Sequence, residues 1–146
     1  MSFYDAMERY YDDVFPVHQN NLLFLEKMLG GSDNKHILDL ACGTGSYTLA
    51  LAARGFRVTG IDLDETMIGL AQQKKRKELP AYINSSTVSF IKGDMLRLST
   101  YLRSVYDGAF CIGNSLVHLE TVNQIEAAIK ETAAVAQGWD FGSANS

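Results

Sequence analysis

The chain has 146 residues, of which 47% are hydrophobic and 21% are charged, a composition typical of one soluble globular domain. A net charge of −4 argues against a nucleic-acid-binding protein, because such a surface needs basic side chains to neutralise phosphates. No stretch approaches the roughly 20 apolar residues of a membrane span. The start of the chain lacks a signal-peptide pattern, and the two cysteines lack CxxC spacing, so we expect a cytoplasmic protein. The histidines show no ligand spacing, and no metal is expected.

The first part of the chain, residues 1–31, predicts a helical cover. Residues 4–11 read as one helix and residues 17–29 as a second. Pro16 separates them, because proline lacks the N–H that a helix interior needs. Gly30 and Gly31 are expected to end the second helix.

Short apolar runs then alternate with segments of helical spacing. The predicted strands are residues 36–40, 56–62, 88–91 and 106–112, and the predicted helices are residues 46–54, 64–78 and 122–129. This alternation predicts an α/β protein with a Rossmann-like, doubly wound and mostly parallel sheet, covered on both faces. In such sheets ligands bind beyond the carboxyl ends of the strands, near the switch in strand order.

A glycine turn, Asp-Leu-Ala-Cys-Gly-Thr-Gly over residues 39–45, joins the first strand to its helix. Gly43 and Gly45 let the backbone turn tightly and let a ligand approach without a Cβ in its way. The helix N-terminus behind them offers N–H groups to a polar or anionic group. A dinucleotide-binding turn would have a third glycine or alanine at the position of Thr48, which disfavours a nucleotide-dependent oxidoreductase.

Three acidic residues stand at the ends of three successive predicted strands. They are Asp39, Asp62 and Asp94. From its position Asp62 would reach ribose hydroxyls, and Asp94 could accept from an adenine amino group. Acidic strand ends favour a donor-rich ligand without phosphate, and S-adenosylmethionine fits this description. The alternative is that such aspartates only form turns or cap helices, which is the preferred interpretation of Asp64.

These segments resemble the motifs of class I S-adenosylmethionine-dependent methyltransferases. Residues 37–45 are similar to the first motif, residues 58–62 to the second, and residues 92–94 to the adenine-side motif. The resemblance implies that residues 39–45 hold the methionine end of the cofactor, whose product is S-adenosylhomocysteine. The implied cofactor-binding set is Asp39, Ala41, Gly43, Gly45, Asp62, Leu63, Asp94, Met95, Ser115 and His118.

The segment after the fourth predicted strand points to the methyl acceptor. Gly-Asn-Ser-x-x-His over residues 113–118 resembles the glycine and sarcosine N-methyltransferases. The resemblance implies that Asn114 faces the acceptor, a small molecule that we expect to be an amine, while Ser115 and His118 hold the cofactor or order the loop. Alternatively, Asn114 is a left-handed turn residue and His118 only begins a helix.

Two further segments have competing interpretations. In the resembled family an aromatic and acidic N-terminal segment lies over the cofactor, which makes Tyr11 (or Tyr4), with Asn114, a candidate catalytic residue. The alternative is an amphipathic helix that packs its aromatic side chains on the sheet. The basic run at residues 74–77 is predicted to be a solvated helix face.

The polar tail at residues 137–146 matches nothing in the resembled family, whose members continue with further strands. We therefore expect a single domain over residues 1–146 that lacks the last strands of the methyltransferase fold. An uncovered strand edge predicts a homo-oligomer. The favoured function is methyl transfer from S-adenosylmethionine to a small molecule. The alternative is a truncated fragment that binds cofactor weakly or not at all and turns nothing over.

Overall fold

The computed structural model describes residues 3–32, 35–102 and 106–111. The helices are α1 (Phe3–Val14), α2 (Gln19–Leu29), α3 (Ser46–Ala53), α4 (Glu65–Glu78) and α5 (Leu98–Tyr101). The strands are β1 (His36–Leu40), β2 (Arg57–Asp62), β3 (Val88–Lys92) and β4 (Gly108–Phe110), and short 3₁₀ turns cover Ser85–Thr87 and Met95–Arg97. Within the described ranges, no helix is both long enough and apolar enough to cross a bilayer.

The strands form one sheet in the order β3-β2-β1-β4, with every neighbouring pair parallel. The chain moves outward from β1 through β2 to β3 and then returns to the other side of β1 for β4. The switch in strand order therefore lies between β1 and β4, where a ligand site is expected in this architecture. The Rossmann-like α/β prediction is confirmed.

Apolar residues cover both faces of the sheet, as a buried parallel sheet requires. One face packs against α2, α3 and α4 through residues that include Leu22, Leu25, Ile37, Leu51, Val58, Ala71 and Phe90. The opposite face packs against the segment around α5 through residues that include Leu38, Leu40, Ile61, Leu98 and Leu102. The core thus holds the carboxyl ends of β1, β2 and β3 at one edge.

Local signals placed the end of α2 and the start of α4 correctly. Gly30 adopts the left-handed conformation (φ 73°) and ends α2, and its N–H donates to the Glu26 carbonyl. The Asp64 carboxylate caps α4 by accepting from the Thr66 N–H at 2.8 Å. The predicted strand at residues 106–112 is shorter in the structure, since β4 spans Gly108–Phe110. The predicted helix at 122–129 and the tail at 137–146 lie outside the described residues.

Candidate cofactor site at the carboxyl edge of the sheet

The loop between β1 and α3 turns through left-handed backbone conformations. Ala41, Gly43 and Gly45 have φ values of 55°, 58° and 82°. Such a value costs an alanine about 1 kcal/mol, and backbone strain of this kind concentrates at functional sites. A Cβ at Gly45 would lie 2.5 Å from the Phe90 ring, so only glycine permits this approach between the loop and β3. The turn therefore packs closely against β3 at Gly45.

The Asp62 carboxylate joins two of the loops at this edge. Its Oδ2 accepts from the Gly43 N–H at 2.8 Å, and its Oδ1 accepts from the Asp64 N–H at 2.9 Å. The Asp62 carbonyl accepts from the Gly93 N–H at 2.9 Å, which adds the loop after β3. A carboxylate offers about four lone-pair positions, so both oxygens retain capacity for further donors such as ribose hydroxyls.

Asp39 lies beneath the loop and is almost fully buried, with 3% of its surface exposed. Burial raises the pKa of its carboxyl to about 7. The Thr48 hydroxyl donates to Oδ2 at 2.6 Å, and this hydrogen bond lowers the pKa in part. The negative charge of Asp62 raises it further. A nearby ammonium group would favour the ionised form. The bond to Asp39 also explains why a threonine stands where dinucleotide-binding turns have a third glycine or alanine.

The loops after β2 and β3 carry the remaining predicted residues that the structure describes. Asp94 accepts from the Leu96 N–H at 2.9 Å and begins the turn that contains Met95. Met95 is half-buried against the core, whereas Leu63, next to Asp62, is 66% exposed. Acidic and apolar side chains therefore alternate along this edge, a setting suited to a donor-rich organic ligand without phosphate.

Helix α1 places Tyr11 directly over the glycine turn. A methyl group added at Gly43 would overlap the Tyr11 hydroxyl oxygen. Burial raises the pKa of the Tyr11 phenol, and the charge of Asp62 raises it further, so the hydroxyl keeps its proton as a donor. Phe3 and Tyr10 are 72% and 71% exposed, so α1 does not pack these aromatic side chains on the sheet.

A family assignment agrees with this architecture. Residues 37–137 match a protein family described as a methyltransferase domain. The chain belongs to this methyltransferase family.

Individual relatives of this methyltransferase domain differ in what they act on. YqeM of Bacillus subtilis, a protein named as a methyltransferase, is 37% identical over 99 residues, which are 68% of this chain and 37% of YqeM. Magnesium-protoporphyrin O-methyltransferase of Synechocystis is 36% identical over 100 residues, which are 68% of this chain and 40% of that protein. Its crystal structure with bound S-adenosylhomocysteine superposes with a TM-score of 0.67 at 30% identity, covering 81% of this chain and 50% of that one.

Human glycine N-methyltransferase is also a relative, 30% identical over 91 residues, which are 58% of this chain and 30% of that protein. It is one similar methyltransferase among several with different acceptors, so the comparisons support the broad family rather than this subgroup. The chain spans half or less of the length of the relatives compared.

The basic run at residues 74–77 was predicted to be a solvated helix face, but Lys74 is buried, with 2% of its surface exposed. Its ammonium lies 2.6 Å from Asp12 Oδ1, 2.7 Å from Ser46 Oγ and 2.9 Å from Thr44 Oγ1. A sequence signal existed, because position 74 continues the buried stripe of α4 at positions 70 and 71. The prediction of a solvated face was wrong for this residue.

The other residues of the basic run, 75–77, agree better with the predicted solvated face. Lys75 is half-buried and donates to the Val88 carbonyl at 2.7 Å. Arg76 and Lys77 are exposed, as predicted.

The other predicted site residues, Asn114, Ser115 and His118, lie outside the described residues. Nothing in the described ranges forms a group of three side chains suited to a metal ion. Cys42 and Cys111 are not joined by a disulfide, and burial raises the pKa of the Cys42 thiol, with Asp39 and Asp62 raising it further. A protonated thiol is a poor nucleophile, so covalent catalysis by Cys42 is disfavoured.

Proposed function

We propose that this chain binds S-adenosylmethionine at residues 39–45 and forms part of an enzyme that methylates a small molecule. The observation that carries the proposal is the Asp62 carboxylate, which bonds to the loops after β1 and β2 and keeps acceptor capacity. The backbone carbonyl of the same residue bonds to the loop after β3. The match to the methyltransferase family and the relative crystallised with S-adenosylhomocysteine support it.

The residues present fit this cofactor in charge and in the chemistry of their side chains. Asp62 would accept from the ribose hydroxyls, and the negative charge of Asp39 beneath the loop would favour the α-ammonium group. Leu63 and Met95 offer apolar surface for the adenine ring, and Asp94 would accept from its amino group. When bound, S-adenosylmethionine supplies an electrophilic methyl group on a sulfonium. The protein's task is then to hold a nucleophile in line and to exclude water.

An amine is the acceptor that we propose. A neutral amine attacks without a general base, which suits a site where Tyr11 is a protonated donor and the Cys42 thiol is protonated. Tyr11 and Asn114 are proposed to contact the acceptor. The similarity to an O-methyltransferase favours a second candidate, a hydroxyl or carboxylate acceptor. A net charge of −4 disfavours nucleic acid.

The decisive experiment is calorimetric titration with S-adenosylmethionine and S-adenosylhomocysteine. We expect saturable binding that falls at least about tenfold in Asp62→Ala, consistent with the loss of hydrogen bonds to a charged group. Asp64→Ala is the matched control, since it removes only a helix cap from the same loop and should bind nearly as wild type. No binding by the folded chain would overturn the proposal.

Turnover separates the enzyme from the inactive fragment. Folded protein that binds cofactor should be assayed with glycine, sarcosine and other amines, and in parallel with hydroxyl and carboxylate acceptors. Methylation of amines alone supports an N-methyltransferase, and methylation of oxygen acceptors supports the second candidate. Binding without turnover across both panels supports a cofactor-binding fragment.

We also propose that the chain forms a homo-oligomer and is cytoplasmic. Among the described strands, β4 pairs only with β1, and we propose that a second copy of the chain pairs with its other edge. Light scattering should show a mass that rises with concentration, and a constant monomer mass would contradict this. Two cysteines without a disulfide accord with a cytoplasmic location.

A further inference from the structure

A buried cation connects helix α1 to the glycine turn. The Lys74 ammonium contacts Asp12 of α1, Thr44 of the turn and Ser46 at the start of α3. We infer that Lys74 is a positioning residue, which holds α1 on the turn and thereby sets the place of Tyr11. The effect on the cofactor rests on the proposed function, whereas the effect on α1 does not.

The hydrogen bonds of Lys74 are complete only when α1 is docked. An ammonium has three donors, and the structure supplies three acceptors within 2.6–2.9 Å. Only Asp12 among them carries a charge, and Thr44 also donates to Asp12 at 2.9 Å. Removing the anion from a buried pair leaves an uncompensated charge, which is strongly unfavourable. Lys74 therefore opposes separation of α1 from the turn.

The other described ion pairs of α1 involve an exposed cation. None of the α1 side chains with described burial is fully buried. The acidic stripe of α1 meets Lys77, which lies 2.9 Å from Asp5 and 3.8 Å from Glu8, and Gln73 donates to Asp5 at 2.8 Å. Lys77 is half exposed, so solvent and salt screen its pairs. Among the described ion pairs of α1, the pair at Lys74 has the most buried cation, with the Lys74 side chain 2% exposed and that of Asp12 31% exposed, so salt screens it least.

Lys74 contacts the residues that follow Tyr11 and Gly43 in the sequence. Asp12 follows Tyr11, and Thr44 follows Gly43. Since Tyr11 rests on Gly43, a shift of Asp12 away from Thr44 also moves the Tyr11 hydroxyl off the turn. Docking of α1 and the shape of the cofactor loop are therefore coupled, and such coupling commonly amounts to about tenfold in affinity.

The first test measures α1 without any ligand. Hydrogen exchange of the full chain should show faster exchange of the α1 amides in Lys74→Met and in Asp12→Asn than in wild type. Arg76→Met is the matched control, because Arg76 lies on the same helix and is exposed. If Lys74→Met fails to fold, the exchange of Asp12→Asn alone tests the inference, since asparagine keeps the shape of the aspartate side chain and removes its charge. Unchanged exchange in a folded variant would overturn the inference.

The second test measures binding of S-adenosylhomocysteine by calorimetry. Lys74→Met should weaken affinity by about tenfold, and it should add little further loss in a Tyr11→Ala background. Equal losses in both backgrounds would show a merely structural role and overturn the positioning role. Faster α1 exchange with unchanged affinity would also overturn it. If wild type binds no S-adenosylhomocysteine, the proposed function fails, while the exchange experiment still decides whether Lys74 holds α1.

Discussion

The Asp62 carboxylate lies 2.8 Å from the backbone nitrogen of Gly43, which joins the end of β2 to the turn after β1. Its other oxygen accepts from the Asp64 N–H. One side chain thus stabilises the two loops that would receive the ribose of a bound cofactor. Substitution of Asp62 should therefore change the stability of the ligand-free protein as well as its binding.

Asp62→Ala should lower the free energy of unfolding by about 1–3 kcal/mol, because two backbone N–H groups lose their acceptor. Asp64→Ala should cost about 1 kcal/mol, the usual cost of losing a helix cap. Urea unfolding followed by circular dichroism gives both values. An Asp62→Ala variant as stable as wild type would show that the carboxylate does not hold the loops together.

Gly43→Ala should destabilise the chain through its positive φ and through overlap with the Tyr11 hydroxyl. Tyr11→Ala removes the overlap but leaves the backbone strain. The cost of Gly43→Ala should therefore shrink in the Tyr11→Ala background, with a coupling of at least about 0.5 kcal/mol. Additive costs in thermal or urea unfolding would mean that Tyr11 does not rest on the turn in solution.

Asp39 should make stability depend on pH. Its pKa rises from 3.8 to about 7 on folding, so the folded chain binds more protons than the unfolded chain between these values. The contribution of Asp39 to stability should then fall as pH rises from about 4 to 7 and change little beyond. Asp39→Asn should remove this fall, and Asp13→Asn, an exposed change on α1, should keep it. A pH series of unfolding midpoints that shows the same fall in Asp39→Asn would contradict the assignment.

Cys42 should react slowly with iodoacetamide in the folded chain. Burial raises the pKa of its thiol, and the thiolate is the reactive form. At pH 8 we expect alkylation slower by more than about tenfold than in urea. A Cys111→Ser variant isolates the signal of Cys42, and mass spectrometry follows the label. Equal rates in folded and unfolded protein would show that the thiol is not protected.

Features governed by near neighbours in the chain could be predicted closely. Strand β1 has the predicted bounds, Gly30 ends α2, and Asp64 caps α4. Apolar periodicity and capping act over a few residues, so a single sequence carries these signals in full.

The sequence by itself determined the α/β class, the parallel sheet and the acidic residues at its carboxyl edge, because these follow from local patterns and chain order. Only the tertiary structure decided that Lys74 is buried against Asp12, that Thr48 bonds to Asp39, and that Tyr11 covers Gly43. The Lys74 and Asp12 positions are 62 residues apart. Whether a charged group is solvated, paired or shifted in pKa depends on the groups that distant elements bring to it, and residue spacing does not encode that environment.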